Sequence, residues 1–147
     1  MKKQLSDELY GILNRPRFLT YRIQQINAQI INLKSCLYPG AIRYDKEKVD
    51  SSPSDKMPQI VAEIGDLEKE RERLEKEVGV SKDTLIRFCE ANLSEELDRT
   101  VIIMHYIGKQ TFEQIGVALS YSKGWVWHTY DRAIDILEEA LMKKETK

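Results

Sequence analysis

The side chains of this sequence that are best suited to contact a ligand lie close together, in the segment SYSKGWVWHTYDRA. Lys123 can donate a hydrogen bond to a phosphate or to a guanine edge. His128, about one turn further along a helix, can reach base edges or phosphates. Trp125 can pack its indole against a thymine methyl group or a sugar and donate its N–H to a phosphate. These residue types favour contact with double-stranded DNA.

Four further residues complete this candidate site. Ser122 and Thr111 are placed to cap helices, where free backbone N–H groups also favour phosphate, although a cap is present without any ligand. Arg132 can either contact a phosphate or pair with the aspartates one residue before and three residues after it. Tyr121 lies in the turn itself. We therefore expect the DNA-binding residues to be Thr111, Tyr121, Ser122, Lys123, Trp125, His128 and Arg132.

Both tryptophans of the chain lie in this segment. We expect Trp127, at the edge of the apolar stripe, to pack in the core, and Trp125 to face outward. For Trp125, contact with DNA and contact with a partner protein are both open, because exposed tryptophan is frequent in protein-binding sites.

The elements that must position these residues are a short helix, a tight turn and a longer helix. The pattern predicts a helix that breaks at Gly108, a short helix from Thr111 and a last helix from Lys123 to about Met142. One stripe of the last helix is apolar. This stripe contains Val126, Tyr130, Ala133, Leu137 and Ala140.

The N-terminal half has two coiled-coil patterns. Apolar residues recur at alternating steps of four and three in both. They are Leu19, Ile23, Ile26, Ile30, Leu33 and Leu37, and then Ile60, Ile64, Leu67, Leu74 and Val78, with Arg71 at one position of the second pattern. Because neither amphipathic helix is stable alone in water, we expect an antiparallel hairpin.

The predicted hairpin spans residues 1–80, with long helices at about 17–37 and 58–78 and a loop at 38–57. We expect a short helix near residues 7–13. The first long helix then starts after Pro16, and the hairpin ends at Gly79. The DNA-binding domain then spans residues 81–147, with helix entries at Ser81 and Ser94.

Composition favours a helix-rich, cytosolic protein. The chain has 147 residues, of which 41% are hydrophobic and 32% charged, and no apolar run is long enough to cross a membrane. No spacing suggests a metal site or the side-chain pairs of a catalytic site, so we expect no catalytic residues, no metal, no cofactor and no enzymatic activity. We expect Cys36 and Cys89 to be buried free thiols and His105 to be a structural histidine.

The net charge of the chain is −1, but its charged residues are unevenly distributed along the sequence. Residues 1–50 hold nine Lys and Arg against five Asp and Glu, whereas residues 100–147 hold six of each. Basic residues of the N-terminal half can therefore either add to DNA binding or form a solvated surface. They are Arg15, Arg17, Arg22, Lys34, Arg43, Lys46 and Lys48. The loop residues Arg43, Tyr44 and Lys46 form an auxiliary candidate contact for DNA or a partner.

The segment QTFEQIGVALSYSKGWVWHTYDRAIDIL resembles, without gaps, the helix-turn-helix of sigma factor region 4. Over about residues 94–141 the similarity rests on Thr111, Glu113, Ile115, Gly116, Leu119, Ser122, Val126, Arg132, Ala133 and Leu137. The chain departs from that pattern at Ser120, where the family has a turn glycine. It also departs at Gly124, Trp125 and Trp127, where charged residues are usual.

The whole chain is similar to the ArpU/RinA-type regulators of phages and prophages of Gram-positive bacteria. This resemblance implies an all-α activator of phage late genes that binds double-stranded DNA. We expect the hairpin to provide homodimer contacts or to touch RNA polymerase. Two alternatives remain: a DNA-packaging protein related to small terminase subunits, and a sigma-like module that binds RNA polymerase without DNA.

Overall fold

A computed structural model describes residues 4–37 and 53–145, and its regular structure within these ranges is entirely helical, which confirms the predicted all-α class. The helices are α1 (Asp7–Leu37), α2 (Pro53–Asn92), α3 (Glu96–Tyr106), α4 (Phe112–Leu119) and α5 (Lys123–Glu145). None of these helices combines the length and the apolar character needed to cross a membrane. The auxiliary candidates Arg43, Tyr44 and Lys46 lie outside the described residues.

Helix α1 is continuous and passes through Pro16, so the predicted division into two helices at this residue is wrong. The helix begins after Ser6, whose Oγ accepts a hydrogen bond from the N–H of Leu9 at 3.3 Å. Two acidic residues in the first turn favour the positive end of the helix dipole. A proline inside a helix costs about 3 kcal/mol. Since Pro16 is buried, packing on neighbouring side chains offsets this cost.

Helix α2 also exceeds its predicted bounds. It runs through Gly79 to Asn92, so Gly79 does not end it and Ser81 does not begin a new helix. The Ser81 hydroxyl donates to the Val78 carbonyl at 2.9 Å, which is a bond within a helix and not a cap. At the other end, residues 53–57, predicted as loop, are helical. One glycine costs a helix only about 1 kcal/mol, and the burial of side chains beyond it is worth more.

The chain forms two compact units. One unit is Leu19–Glu77, and the other combines Met1–Phe18 with Val78–Lys147. The first 18 residues, which the sequence analysis placed with the hairpin, therefore group with the C-terminal unit. The reason is burial, because Leu9 and Leu13 are fully buried in the core of that unit.

The Leu19–Glu77 unit is a pair of helical segments with a polar residue in its seam. Arg71 of α2 donates from Nη1 to Oδ1 of Asn27 in α1 at 2.8 Å, and two glutamates of its own helix lie 3.8 and 3.9 Å away. Lys34, later in α1, shares a groove with Val61, earlier in α2. The two segments therefore run in opposite directions, and the Asn27–Arg71 bond favours one register.

In the C-terminal unit, α3, α4 and α5 pack against one another. Their buried side chains form one cluster with Leu9 and Leu13 of α1 and with Leu85 of α2. A hydrogen bond of 2.7 Å joins the hydroxyl groups of Tyr106 and Tyr130 within this core. The predicted apolar stripe of the last helix lies inward, with Val126, Tyr130, Ala133 and Leu137 buried and Ala140 half-buried.

Candidate nucleic-acid interface

Helix α4 begins with a reciprocal cap. The N–H of Gln114 donates to Oγ1 of Thr111 at 3.1 Å, and the N–H of Thr111 donates to Oε1 of Gln114 at 2.9 Å. Thr111 is therefore the cap that its sequence position predicted, and Gln114 is the residue that completes it. The Thr111 side chain is exposed, and its hydroxyl oxygen already accepts a bond from its own helix.

The turn between α4 and α5 contains only Ser120, Tyr121 and Ser122. Ser120 has left-handed backbone angles, φ 65° and ψ 40°, a conformation that favours glycine. The N–H of Tyr121 donates to the Gly116 carbonyl at 2.8 Å. A Cβ atom on Gly116 would lie 2.6 Å from the Tyr121 carbonyl oxygen, so this tight turn requires glycine at position 116.

Helix α5 starts where the sequence predicted. Oγ of Ser122 accepts a hydrogen bond from the N–H of Trp125 at 3.1 Å and so caps the helix. Lys123 and His128 are both exposed. Gly124 is also exposed, and a Cβ atom added there would meet nothing within 4 Å. The first turn of α5 can therefore be approached closely from solvent.

The two tryptophans are both half-buried, so the expectation that Trp125 faces freely outward is corrected. Its ring stacks on Tyr121, with 3.7 Å between centroids and 12° between planes. Trp127 packs on Phe112 and Tyr130, with 5.8 Å between centroids in each case. Trp125 thus supports the turn, and Tyr121, which is 42% exposed, is the partner ring that solvent reaches.

Arg132 is held by a residue that the sequence analysis did not single out. Its Nη2 lies 2.7 Å from Oδ1 of Asp98 in α3, a residue that is 1% exposed. The hydrogen bond and the charge of Asp98 raise the pKa of Arg132. Oδ2 of Asp98 is buried and has no hydrogen-bond partner among the described residues. Arg132 therefore stabilises a buried carboxylate, whatever contact its exposed edge makes.

The charge of the outward face of α5 is mixed. Lys123 and His128 share the exposed surface of the helix with Asp135, and Asp131 is half-exposed. Arg17, one of the basic residues offered for DNA contact, donates instead to the His105 carbonyl at 3.1 Å. Attraction of phosphate therefore depends on few residues, which limits non-specific affinity.

His105 has the structural role that its position suggested. Its Nδ1–H donates to the Gln110 carbonyl at 2.9 Å, and its ring packs on Tyr106 and Phe112. Burial lowers the pKa of His105, the hydrogen bond to the Gln110 carbonyl partly opposes this shift, and the nearby charge of Arg17 adds to it. The folded chain therefore keeps this imidazole neutral over a wider pH range than the unfolded chain does.

This lowered pKa predicts a pH-dependent loss of stability. The contribution of His105 is fully present above the unfolded pKa of about 6.5 and is lost progressively as the pH falls below it, because the unfolded chain then binds the proton more readily. We expect the wild type to lose more unfolding free energy between pH 7.5 and pH 5 than a His105→Gln variant, in urea titrations. His128→Gln controls for removal of an exposed histidine. Equal losses in the wild type and His105→Gln would contradict the assignment.

The sequence does not indicate a role for Asp98, and it indicates Gly116 only through its place in the helix-turn-helix pattern. An acidic residue in the first turn of a helix is common for electrostatic reasons, so Asp98 carried no local signal of a partner 34 residues away. The stacking of Tyr121 and Trp125 does have a signal in the sequence, since aromatic residues four positions apart can meet at a helix start.

Comparisons of this chain with family models, with curated proteins and with solved structures found no match.

Proposed function

We propose that this chain is a sequence-specific DNA-binding transcription regulator that inserts the first two turns of α5 into the major groove. The observation that carries the proposal is the surface at the start of that helix. Lys123 and His128 are exposed there, and a Cβ atom added to Gly124 would meet nothing within 4 Å. Helix-turn-helix proteins read DNA with the first turns of their second helix, which follows a shorter helix and a tight turn. The order α4, turn, α5 and the exposed polar residues at the start of α5 fit this mode of binding.

The proposed contacts are of two kinds: contacts to the DNA backbone, which position the protein, and contacts to base edges, which read the DNA sequence. Lys123, at the N-terminal end of α5, is suited to a phosphate or a guanine, and His128 to a base edge. The exposed edge of Tyr121, held by its stack on Trp125, can lie along a sugar or a thymine methyl group. The N–H groups at the start of α4, next to the Thr111 cap, are suited to bind a phosphate.

Regulation of phage or prophage late genes is part of this proposal and rests on the resemblance to ArpU/RinA-type regulators. An activator of that kind brings RNA polymerase to a promoter. The proposed arrangement gives DNA contact to the C-terminal unit and leaves the hairpin surface for a second copy or for polymerase. A packaging role would instead require assembly into a ring.

A second candidate is a module that binds a partner protein, such as RNA polymerase, without DNA. The mixed charge of α5 favours it, because Asp135 and Asp131 oppose a phosphate backbone. The outer surface of α4 is also apolar at Val117, which is 81% exposed. Tyr121, which is 42% exposed, is of a residue type that is enriched in protein-binding hot spots.

A salt titration separates the two candidates. We expect the binding of a labelled duplex, followed by fluorescence anisotropy, to weaken as salt rises, with a shallow slope that reflects about two to four phosphate contacts. Lys123→Ala should reduce that slope by about 1. Lys144→Ala is the matched control, because it removes an exposed lysine from the other end of α5. Failure to bind duplex DNA even at about 50 mM salt, with retention of polymerase in a pull-down, would favour the second candidate.

A further inference from the structure

The Leu19–Glu77 unit carries exposed apolar side chains on one side of its helix pair. Ile31 of α1 is 64% exposed, and Val61 of α2 is 55% exposed. Val61 lines a groove of about 460 Å³ between the two segments. The groove is formed by Lys34, Leu37, Val61, Ile64, Gly65 and Glu68. Ile31 precedes Lys34 by three residues, so it lies on the same helix face and extends the apolar surface beyond the groove.

The floor of this groove has room for a side chain from another helix. Gly65 is half-buried, and a Cβ atom added to it would meet nothing within 4 Å. A glycine here lets an approaching helix come closer than any larger residue would allow. Two-helix units of this type bury such a surface most simply by adding further helices to form a bundle.

We propose that a second copy of this chain occupies the groove, so that two hairpins form a four-helix bundle about a two-fold axis. The charges of the groove support this occupant. Lys34 on α1 and Glu68 on α2 both line it. Lys34 forms no ion pair with another described residue, and the half-exposed Glu68 has only a long contact of 3.9 Å with Arg71 of its own helix. In a two-fold interface every contact occurs twice, so an arrangement that places Lys34 of each copy opposite Glu68 of the other forms two ion pairs.

The size of the surface that two copies could bury sets the expected affinity of the dimer. The 19 residues from Leu19 to Leu37 span about 28 Å of helix. A face of that length and two helices wide buries an area at the lower end of the range for specific interfaces, about 1,200 Å² in total. We therefore expect a reversible dimer that dissociates on dilution through the micromolar range. This proposal does not depend on DNA binding.

The first test is sedimentation of the full chain over a range of concentrations. We expect the wild type to move from monomer to dimer as concentration rises, and the Ile31→Asp/Val61→Asp variant to stay monomeric. Val80→Asp is the matched control, because it places a charge on an exposed valine outside the groove, and it should dimerise like the wild type. A wild type that is monomeric at about 100 μM, far above the dissociation constant of about 1 μM that a specific dimer of modest affinity has, would overturn the proposal.

A charge exchange tests the two-fold contact without changing the apolar groove. Lys34→Glu and Glu68→Lys should each weaken self-association at least tenfold, because each creates two pairs of like charges. An equimolar mixture of the two variants should dimerise about as well as the wild type, since both pairs then have opposite charges. A mixture no stronger than either variant alone would overturn the proposed pairing. If the wild type dimerises and neither the groove nor the charge variants alter the dissociation constant, the dimer uses another surface and the proposed interface is wrong.

Discussion

An Arg132→Ala variant is expected to lose about 2–3 kcal/mol of unfolding free energy. The variant would leave the Asp98 carboxylate buried, with neither oxygen paired to a cation, because Oδ1 loses its 2.7 Å contact and Oδ2 has no partner among the described residues. Removing one member of a buried pair costs about 3–5 kcal/mol. The cost expected here lies at or below the lower end of that range, since the Arg132 side chain is 58% exposed and water screens part of the interaction.

The double variant Arg132→Ala/Asp98→Ala identifies the cause. It removes the unpaired carboxylate, so it should be more stable than the sum of the two single losses predicts. Lys143→Ala is the matched control in the same helix, because its ion pair with Glu139, at 3.8 Å, is exposed and should be worth less than about 0.5 kcal/mol. Strict additivity of the two single losses would show that the Arg132–Asp98 pair has no energetic role.

This result bears on any test of DNA binding. Arg132 belongs to the predicted DNA-binding residues, but its substitution changes the packing of α5 on α3. A loss of binding in an Arg132 variant would therefore not by itself identify a DNA contact. Lys123 and His128 are better choices, because both are exposed at the start of α5.

A Gly116→Ala variant is expected to lose about 2–3 kcal/mol of unfolding free energy, an effect of the size that backbone strain or overpacking produces. The new Cβ atom would lie 2.6 Å from the Tyr121 carbonyl oxygen, which is backbone and cannot rotate away. The turn would have to open, and the hydrogen bond from the Tyr121 N–H to the Gly116 carbonyl would weaken. The stack of Tyr121 on Trp125 would change with it.

Gly124→Ala is the matched control for this change. Position 124 is also a helical glycine, but its surroundings are open, so alanine should stabilise α5 by about 0.5–1 kcal/mol. Urea unfolding followed by tryptophan fluorescence measures both effects, since Trp125 and Trp127 lie in the same compact unit. A Gly116→Ala variant as stable as the wild type would contradict the close approach of the turn to α4.

The short helix, the turn and the start of the last helix could be predicted because their signals are local. The side chains of Thr111 and Ser122 each accept a hydrogen bond from a backbone N–H three residues further along the chain. The apolar stripe of α5 follows the helical repeat, and four of its five predicted members are buried. Local hydrogen bonding and periodicity are the properties that a sequence displays most directly.

The helix boundaries at Pro16 and Gly79 could not be predicted in the same way. Both residues are typical of helix ends, yet α1 and α2 run through them. The deciding contribution is the burial of Leu9, Leu13 and Leu85 in a core built from distant segments. A local preference of about 1–3 kcal/mol is outweighed when several apolar side chains are buried.

The measurement that tests the central claim most directly is selection of fragments from sheared DNA of the source genome by the full chain, followed by sequencing. The proposal predicts one enriched site upstream of a late operon. It also predicts that Lys123→Ala/His128→Ala loses the site. The control variant Lys143→Ala/Lys144→Ala, which removes two exposed lysines from the other end of α5, should retain it. No enriched site with the wild type, or equal enrichment with Lys123→Ala/His128→Ala, would contradict DNA recognition by the start of α5.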